Sequence, residues 1–165
     1  MIEREALELD ILFVGAGPAS LAGAVHLKRL LRESGQNASV GILEKAVEVG
    51  AHSLSGAIVD PRALRELFLD KNDQDFPFEA EVSEEHLYYL TDNKKIPFPF
   101  IPPSMNHHGC FVASLGKLTR WLSEICENED IDIFCGFAGT ELIYDEDRVI
   151  GVRTGDRGID KNGAQ

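Results

Sequence analysis

The sequence predicts an α/β fold in which a Rossmann-like βαβ unit is joined to antiparallel β insertions. Three observations predict it. Residues 10–14 form a short apolar run that ends in the turn Gly15-Ala16-Gly17. A helical pattern over residues 18–33 follows, and a second apolar run at 39–43 closes on Glu44. Beyond it the pattern changes to short alternating stretches separated by turn residues, as expected of antiparallel strands among helices.

The elements follow in order. Ile11-Leu12-Phe13-Val14 carries no polar side chain, which suits a buried parallel strand. In the next segment Leu21, Ala24, Val25, Leu27, Leu30 and Leu31 supply the apolar positions of a helix, and Gly35 fits its C-terminal stop. Val40-Gly41-Ile42-Leu43 reads as a second buried strand. Strand, turn, helix and strand together make a βαβ unit, whose crossover is expected to be right-handed. Residues 50–59 are small and mixed. Asp60-Pro61 then reads as an N-cap followed by proline at the first helical position, opening a short helix to about Leu69 with Leu64, Leu67 and Phe68 on one face. Residues 86–101 suggest a hairpin around Asp92-Asn93-Lys94-Lys95. Leu118, Trp121, Leu122, Ile125 and Cys126 fall at the spacing of a second amphipathic helix. Residues 131–134 read as a strand, and 141–144 with 149–153 as a hairpin around Asp145-Glu146-Asp147. Residues 155–165 are rich in Gly and Asp and have no apolar period.

The chemistry concentrates at Gly15-Ala16-Gly17-Pro18-Ala19-Ser20, directly after a strand and at the start of a helix, the context that gives a Gly-x-Gly match its meaning. Gly15 allows the tight turn, and Gly17 lets backbone approach a pyrophosphate with no Cβ in the way. The helix start offers unpaired N–H groups and partial positive charge to phosphates, and Pro18 removes nothing needed there. Ser20 stands where the fingerprint has a third glycine, a position that serves close helix–strand packing. Glu44, at the end of the second strand, is placed to accept hydrogen bonds from ribose hydroxyls and disfavours a 2′-phosphate, which argues against NADP. A plain glycine turn beside a surface acid is the competing reading; the agreement of strand, turn, helix, strand and acid favours a dinucleotide. The spacing does not separate FAD from NAD.

Bulk properties exclude several classes. With 28 acidic and 16 basic residues among 165, the formal net charge is −12, which opposes nucleic-acid binding and electrostatic docking on anionic lipid. No apolar stretch is long enough to span a bilayer as a helix. The acidic start, Met1-Ile2-Glu3-Arg4-Glu5, suits neither a secretory nor a transit peptide, so a cytoplasmic start is expected. Cys110, Cys126 and Cys135 are scattered without ligand spacing and read as free thiols. His107-His108 are expected to point apart in a strand, with nothing nearby to complete a metal site.

Further residues carry a family resemblance over almost the whole chain. Lys45, the run from Val49-Gly50-Ala51-His52-Ser53-Leu54-Ser55-Gly56 to Asp60-Pro61-Arg62-Ala63-Leu64, Pro102-Pro103-Ser104-Met105, His108-Gly109, and Ser114-Leu115-Gly116 through Arg120-Trp121-Leu122 resemble electron-transfer flavoprotein–ubiquinone oxidoreductases. So do Gly136-Phe137-Ala138 and Leu142-Ile143-Tyr144-Asp145-Glu146-Asp147. The resemblance implies a fragment of a longer FAD-dependent enzyme with a glutathione-reductase-type FAD-binding domain, left incomplete. Residues 1–50 would be the βαβ unit, 51–113 an insertion, and 114–165 a truncated return to the FAD-binding domain. It further implies reduced electron-transfer flavoprotein as donor, ubiquinone as acceptor, a [4Fe-4S] cluster in a part beyond this chain, and peripheral or monotopic attachment at the cytoplasmic face of a bacterial inner membrane. By the same likeness Lys45, Ser55, Gly56, Arg120 and Ala138 join Gly15, Gly17, Pro18, Ala19, Ser20 and Glu44 as FAD-binding candidates. Ser55 and Gly56 read equally as a plain turn, Arg120 as a solvated helix arginine, and Ala138 as a strand edge. The segment 51–72 is expected either to dip into lipid through Leu64, Leu67 and Phe68 or to pack them in the core. The proline-rich run at 96–103 likewise packs under a neighbouring domain or faces a membrane. Other functional readings are a geranylgeranyl-reductase-type flavoenzyme and an inactive nucleotide-binding fragment.

Overall fold

The computed structural model describes residues 5–54 and 56–155. In chain order the elements are β1 (Ile11–Val14), α1 (Pro18–Glu33), β2 (Val40–Glu44), β3 (Ala57–Val59), α2 (Arg62–Leu67), β4 (Phe78–Glu81), β5 (Tyr88–Leu90), β6 (Lys95–Pro97), β7 (Phe111–Ala113), α3 (Leu115–Asn128), β8 (Asp132–Cys135), β9 (Gly139–Asp145) and β10 (Arg148–Thr154). Single turns of 3-10 helix lie at Asp73–Asp75 and Pro103–Met105. Among the described residues, those up to Ser53 together with those from Thr119 on form one compact unit, and those between Leu54 and Leu118 form a second. The tail expected to be irregular lies, from residue 156 on, outside the described residues.

The first unit is built on a parallel sheet in the order β1-β2-β8. β1 pairs with β2 from Ile11 opposite Val40 to Val14 opposite Leu43, and β2 pairs with β8 from Gly41 opposite Asp132 to Glu44 opposite Cys135. The expected βαβ unit is therefore present. Val40, Gly41, Ile42 and Leu43 are all buried, as a strand between two neighbours requires. Helix α1 buries Leu21, Ala24 and Val25, and α3 buries Leu122 and Cys126. The two helices touch, since the Cys126 thiol donates to the Leu21 carbonyl at 3.5 Å. Burial pushes that thiol up to about 12, so it packs as a small apolar group. Helix α1 ends at Gly35, whose φ is +68°: Gly35 N–H reaches Arg32 O at 3.1 Å and Gln36 N–H reaches Leu31 O at 2.9 Å. This pair of bonds is a Schellman stop, and it needs the left-handed residue that glycine supplies.

Glu129, just past α3, accepts from Arg29 Nε at 3.4 Å and also from Arg32. Burial opposes the charge on Glu129, yet the Arg32 and Arg29 guanidiniums outweigh it and hold the carboxyl below its ordinary range. A depressed carboxyl adds stability above its unfolded-state pKa, and loses it as the pH falls through the folded value.

Gly41 is the tight spot of the sheet. A Cβ there would lie 2.6 Å from Leu9 Cδ1 and 3.1 Å from Phe134 Cε2. Gly41→Val is therefore expected to cost about 1–3 kcal/mol by overpacking. Denaturant unfolding should show a lower midpoint with an unchanged slope.

β9 and β10 form the expected hairpin, a two-stranded ladder of its own. Its tip is tighter than expected: Asp145 pairs with Arg148, leaving Glu146 and Asp147 as the turn, with Glu146 at φ +53°.

The second unit holds the antiparallel sheet β3-β7-β4 and the separate hairpin β5–β6. β3 falls where the sequence suggested only small, mixed residues, because three residues are too few to show a period. Helix α2 begins at Arg62 with Pro61 as its cap and ends at Leu67, so it is shorter at both ends than expected. Asp60 still performs the capping chemistry from one position earlier: its carboxylate accepts the Arg62 amide at 3.0 Å and Arg62 Nε at 2.7 Å. Leu64 and Phe68 are buried, and rings continue outward from Phe68 to Phe76 (6.3 Å), Phe78 (5.5 Å) and Phe111 (4.5 Å, stacked). Of the three side chains expected on one face of α2, Leu64 and Phe68 are buried and Leu67 is half-buried. His107 and His108 lie at a turn, not in the strand expected of them. His107 Nδ1 lies 2.5 Å from one Glu85 oxygen, and its amide donates to the other at 2.6 Å.

Candidate functional site

The carboxyl ends of β1, β2 and β8 meet at one end of the parallel sheet, where open α/β sheets bind ligands. Gly15 leaves β1 at φ +97°, a conformation side chains avoid, and its amide donates to Leu43 O at 2.7 Å. Gly17 is the N-cap of α1 at φ −79° and ψ 168°, ordinary extended backbone. Its missing side chain is therefore not required by conformation. What it leaves is room: nothing lies within 4 Å of where a Cβ would stand, and the same holds at Gly15. Pro18 occupies the first turn of α1, and no acidic residue sits in that turn to neutralise its positive end. Ala19 is exposed and Ser20 half-buried on the same turn.

Glu44 is more deeply engaged than a strand-end acid facing a ligand would be. One carboxylate oxygen accepts the Ala16 amide at 2.9 Å, and the other accepts the Ala46 amide at 2.8 Å. The acid thus ties the glycine turn to the segment leaving β2. Each oxygen has a second lone-pair direction, so the clasp and a ribose hydroxyl are compatible. Burial and the negative charge of Glu44 push the neighbouring Cys135 thiol up, which makes it a poor nucleophile.

The β2–β8 pairing continues past the strands. Phe137 N–H donates to Glu44 O at 2.9 Å and Gly136 N–H to Ala46 O at 2.6 Å, which brings Ala138 beside the glycine turn's acid. Ala138 O accepts the Gly155 amide at 3.0 Å. At Gly139 the chain crosses the sheet's end so closely that a Cβ would sit 3.1 Å from Val14 Cγ1 and 3.8 Å from Leu43 Cδ1.

The structure therefore brings together Gly15, Gly17, Pro18, Ala19, Ser20, Glu44, the exposed Lys45 and Ala138. Arg120 is exposed on α3 and opens onto a cavity of about 270 Å³. Val47, Glu48 and Val49 line that cavity with it; no residue of the glycine turn does. Gly56 belongs to the second unit, at φ +84°, and Ser55 lies outside the described residues. Among the described residues no group of three His, Cys, Asp or Glu is placed to hold a metal. Sequence reasoning missed the Ala16, Ala46, Gly136 and Phe137 backbone contacts and the close approach at Gly139. Main-chain partners leave no mark in residue type. Only the second glycine-rich run, Gly136 to Gly139, hinted at a crowded crossing.

No protein-family model matches the chain. In fold it is similar to a geranylgeranyl bacteriochlorophyll reductase-like protein from Thermoplasma acidophilum, with TM-score 0.61 and 20% identity over 88% of this chain and 34% of that one. It is also similar to a myxobacterial chondrochloren halogenase, a variant of FAD-dependent halogenases, with TM-score 0.53 and 16% identity over 94% of this chain and 34% of the other. The fold is that of the Rossmann-like α/β domains found in FAD-dependent enzymes.

Sequence kinship is narrower. The chain is 42% identical over 165 residues to the mitochondrial electron transfer flavoprotein-ubiquinone oxidoreductase of Mus musculus, covering 99% of this chain and 27% of that protein. It is 43% identical to the Pseudomonas aeruginosa electron transfer flavoprotein-ubiquinone oxidoreductase, covering 98% of this chain and 30% of that protein. Along nearly all of its length the chain is thus a homologue of electron transfer flavoprotein-ubiquinone oxidoreductases, and it spans less than a third of theirs.

Proposed function

We propose that this chain holds the adenosine-diphosphate half of FAD in an oxidoreductase that passes electrons from reduced electron-transfer flavoprotein to ubiquinone. The observation that carries the reading is the Glu44 clasp on the Ala16 amide beside the open space at Gly17. A turn with open space where Gly15 and Gly17 lack side chains, a helix start without acid, and a carboxylate with acceptor capacity to spare fit pyrophosphate and an unphosphorylated ribose. When bound, FAD supplies the electron-carrying chemistry, and no side chain here has to act as acid or base. Gly15, Gly17, Pro18, Ala19 and Ser20 would receive the phosphates. Glu44 and Lys45 would hold the ribose, and Ala138 would present backbone to the adenine. Arg120, Ser55 and Gly56 are assigned to the cofactor by family likeness alone. Kinship with proteins named for electron transfer flavoprotein and ubiquinone supports that donor and that acceptor. The proposal adds, from the family resemblance in the sequence alone, a [4Fe-4S] cluster outside this chain and peripheral attachment to the cytoplasmic face of a bacterial inner membrane. No helix among the described residues is long and apolar enough to cross a membrane. The domain reading that accompanies this assigns residues 1–50 and 114–165 to FAD binding and 51–113 to an insertion.

Calorimetric titration tests the cofactor assignment. The 165-residue chain should bind FAD and ADP and ignore FMN, which shares only the flavin end. Binding of FMN without ADP would place the site elsewhere. Reduction of a ubiquinone analogue by reduced electron-transfer flavoprotein, assayed on a polypeptide of the relatives' length, tests the reaction; no transfer would remove it.

A further inference from the structure

The second unit carries an apolar arm that the described residues leave bare. In the β5–β6 ladder Tyr89 stands opposite Ile96, and the Phe98 amide donates to Leu87 O at 2.9 Å, which extends the pairing. Tyr89, Ile96 and Phe98 therefore share one face. They are 60%, 48% and 47% exposed, and Phe100 and Met105 continue the apolar run at 67% and 46%. From Ile96 to Met105 the sequence has no charged residue. The arm is nonetheless held at its base: Val82 N–H donates to Cys110 O at 2.9 Å, and Glu85 takes the His107 amide at 2.6 Å. A two-stranded ladder alone is marginal in water, and monomers seldom expose so continuous an apolar stripe.

We infer that this arm is a docking face for folded polypeptide, namely the part of the relatives' length that lies beyond this chain's match. Those relatives share 98–99% of this chain at 42–43% identity, while the match covers only 27–30% of them. Tyr, Phe and Met are the residue types enriched at protein interfaces, and charged residues are depleted at interface cores. Lipid fits less well. Four prolines interrupt residues 96–103, so that run forms no continuous ladder, and irregular backbone exposed to hydrocarbon leaves polar groups unsatisfied. A formal net charge of −12 also repels anionic bilayers. A protein partner supplies both apolar cover and hydrogen-bond partners.

The inference rests on kinship with the longer proteins and not on the cofactor assignment. Hydroxyl-radical footprinting reads it directly. The 165-residue chain is compared with the same chain joined to the remaining length of the Pseudomonas aeruginosa relative, in one polypeptide. Oxidation of Tyr89, Phe98, Phe100 and Met105 should fall at least about fivefold in the joined protein, because a dry interface core excludes solvent. Flavin absorbance in the same sample reports the cofactor assignment separately. Tyr89→Glu with Phe100→Glu should leave the melting temperature of the isolated chain unchanged and lower that of the joined protein. If the joined protein does not fold, footprinting the intact Pseudomonas aeruginosa protein at the aligned positions decides. Unchanged oxidation would overturn the inference. So would protection of the isolated chain that tracks its concentration and a sedimenting dimer, or protection that appears only with phosphatidylglycerol vesicles.

Discussion

Gly17→Val is expected to lower FAD affinity by at least about a hundredfold, close to 3 kcal/mol, while the protein stays folded. The two effects separate because of how Gly17 sits. Its φ of −79° is open to any residue, and no atom lies within 4 Å of the position a Cβ would take. The unliganded fold therefore accepts the side chain. Valine is a poor N-cap compared with glycine, which costs about 1 kcal/mol at most. The ligand has no such tolerance, because a branched Cβ fills the space through which a pyrophosphate must approach the helix start. Gly17→Ser sharpens the contrast. Serine is a favoured N-cap, so this variant should melt no lower than the parent and still bind FAD less well. Gly15 cannot serve the same test, since at φ +97° any side chain strains the turn itself. Calorimetric titration with FAD and thermal unfolding measure the two effects. Near-parental FAD affinity in Gly17→Val would show that the phosphates do not pass this turn.

What the sequence made legible follows from which interactions leave a mark in residue type. The βαβ unit was readable because burial on both faces demands an uninterrupted apolar strand, as in Val40–Glu44, and because the turn demands glycine at Gly15. Helix α3 was readable from its periodic stripe. β3 was not, because three residues carry no period. α2 was drawn too long because Asp60 binds the Arg62 amide from one residue before the cap position, which Pro61 takes, and because the apolar stripe runs on to the buried Phe68 after the helix has ended. At the site, the residue types pointed to Glu44 but not to its grip on the Ala16 and Ala46 amides. A carboxylate bonded to main chain looks, in sequence, the same as one turned to a ligand. Arg120 shows the opposite limit: family likeness placed it with the cofactor, and no residue type in the sequence pointed to the cavity it opens onto beside Val47 and Val49.

Glu44→Ala carries the other large effect, and it should strike stability and binding together. The Ala16 and Ala46 amides belong to buried residues and both donate to this carboxylate. Leaving a buried donor unpaired costs about 1–3 kcal/mol each, so the variant should lose about 2–4 kcal/mol of unfolding free energy if water repairs part of the loss. Binding should weaken by about tenfold to a hundredfold, the worth of one or two hydrogen bonds to a charged acceptor. Glu44→Gln divides the two roles. Its amide oxygen can still accept one of the two N–H groups, but its amide nitrogen confronts the other with a donor, so about half of the stability loss should remain. A ribose hydroxyl facing that nitrogen can turn and accept from it, so affinity should fall less than in Glu44→Ala. Chemical denaturation and FAD titration on the three proteins give the full comparison. Normal stability in Glu44→Ala would dissolve the clasp. Normal affinity in a destabilised Glu44→Ala would leave the clasp standing and remove the ribose from Glu44, taking with it the main reason for assigning the adenosine half of a dinucleotide to this turn.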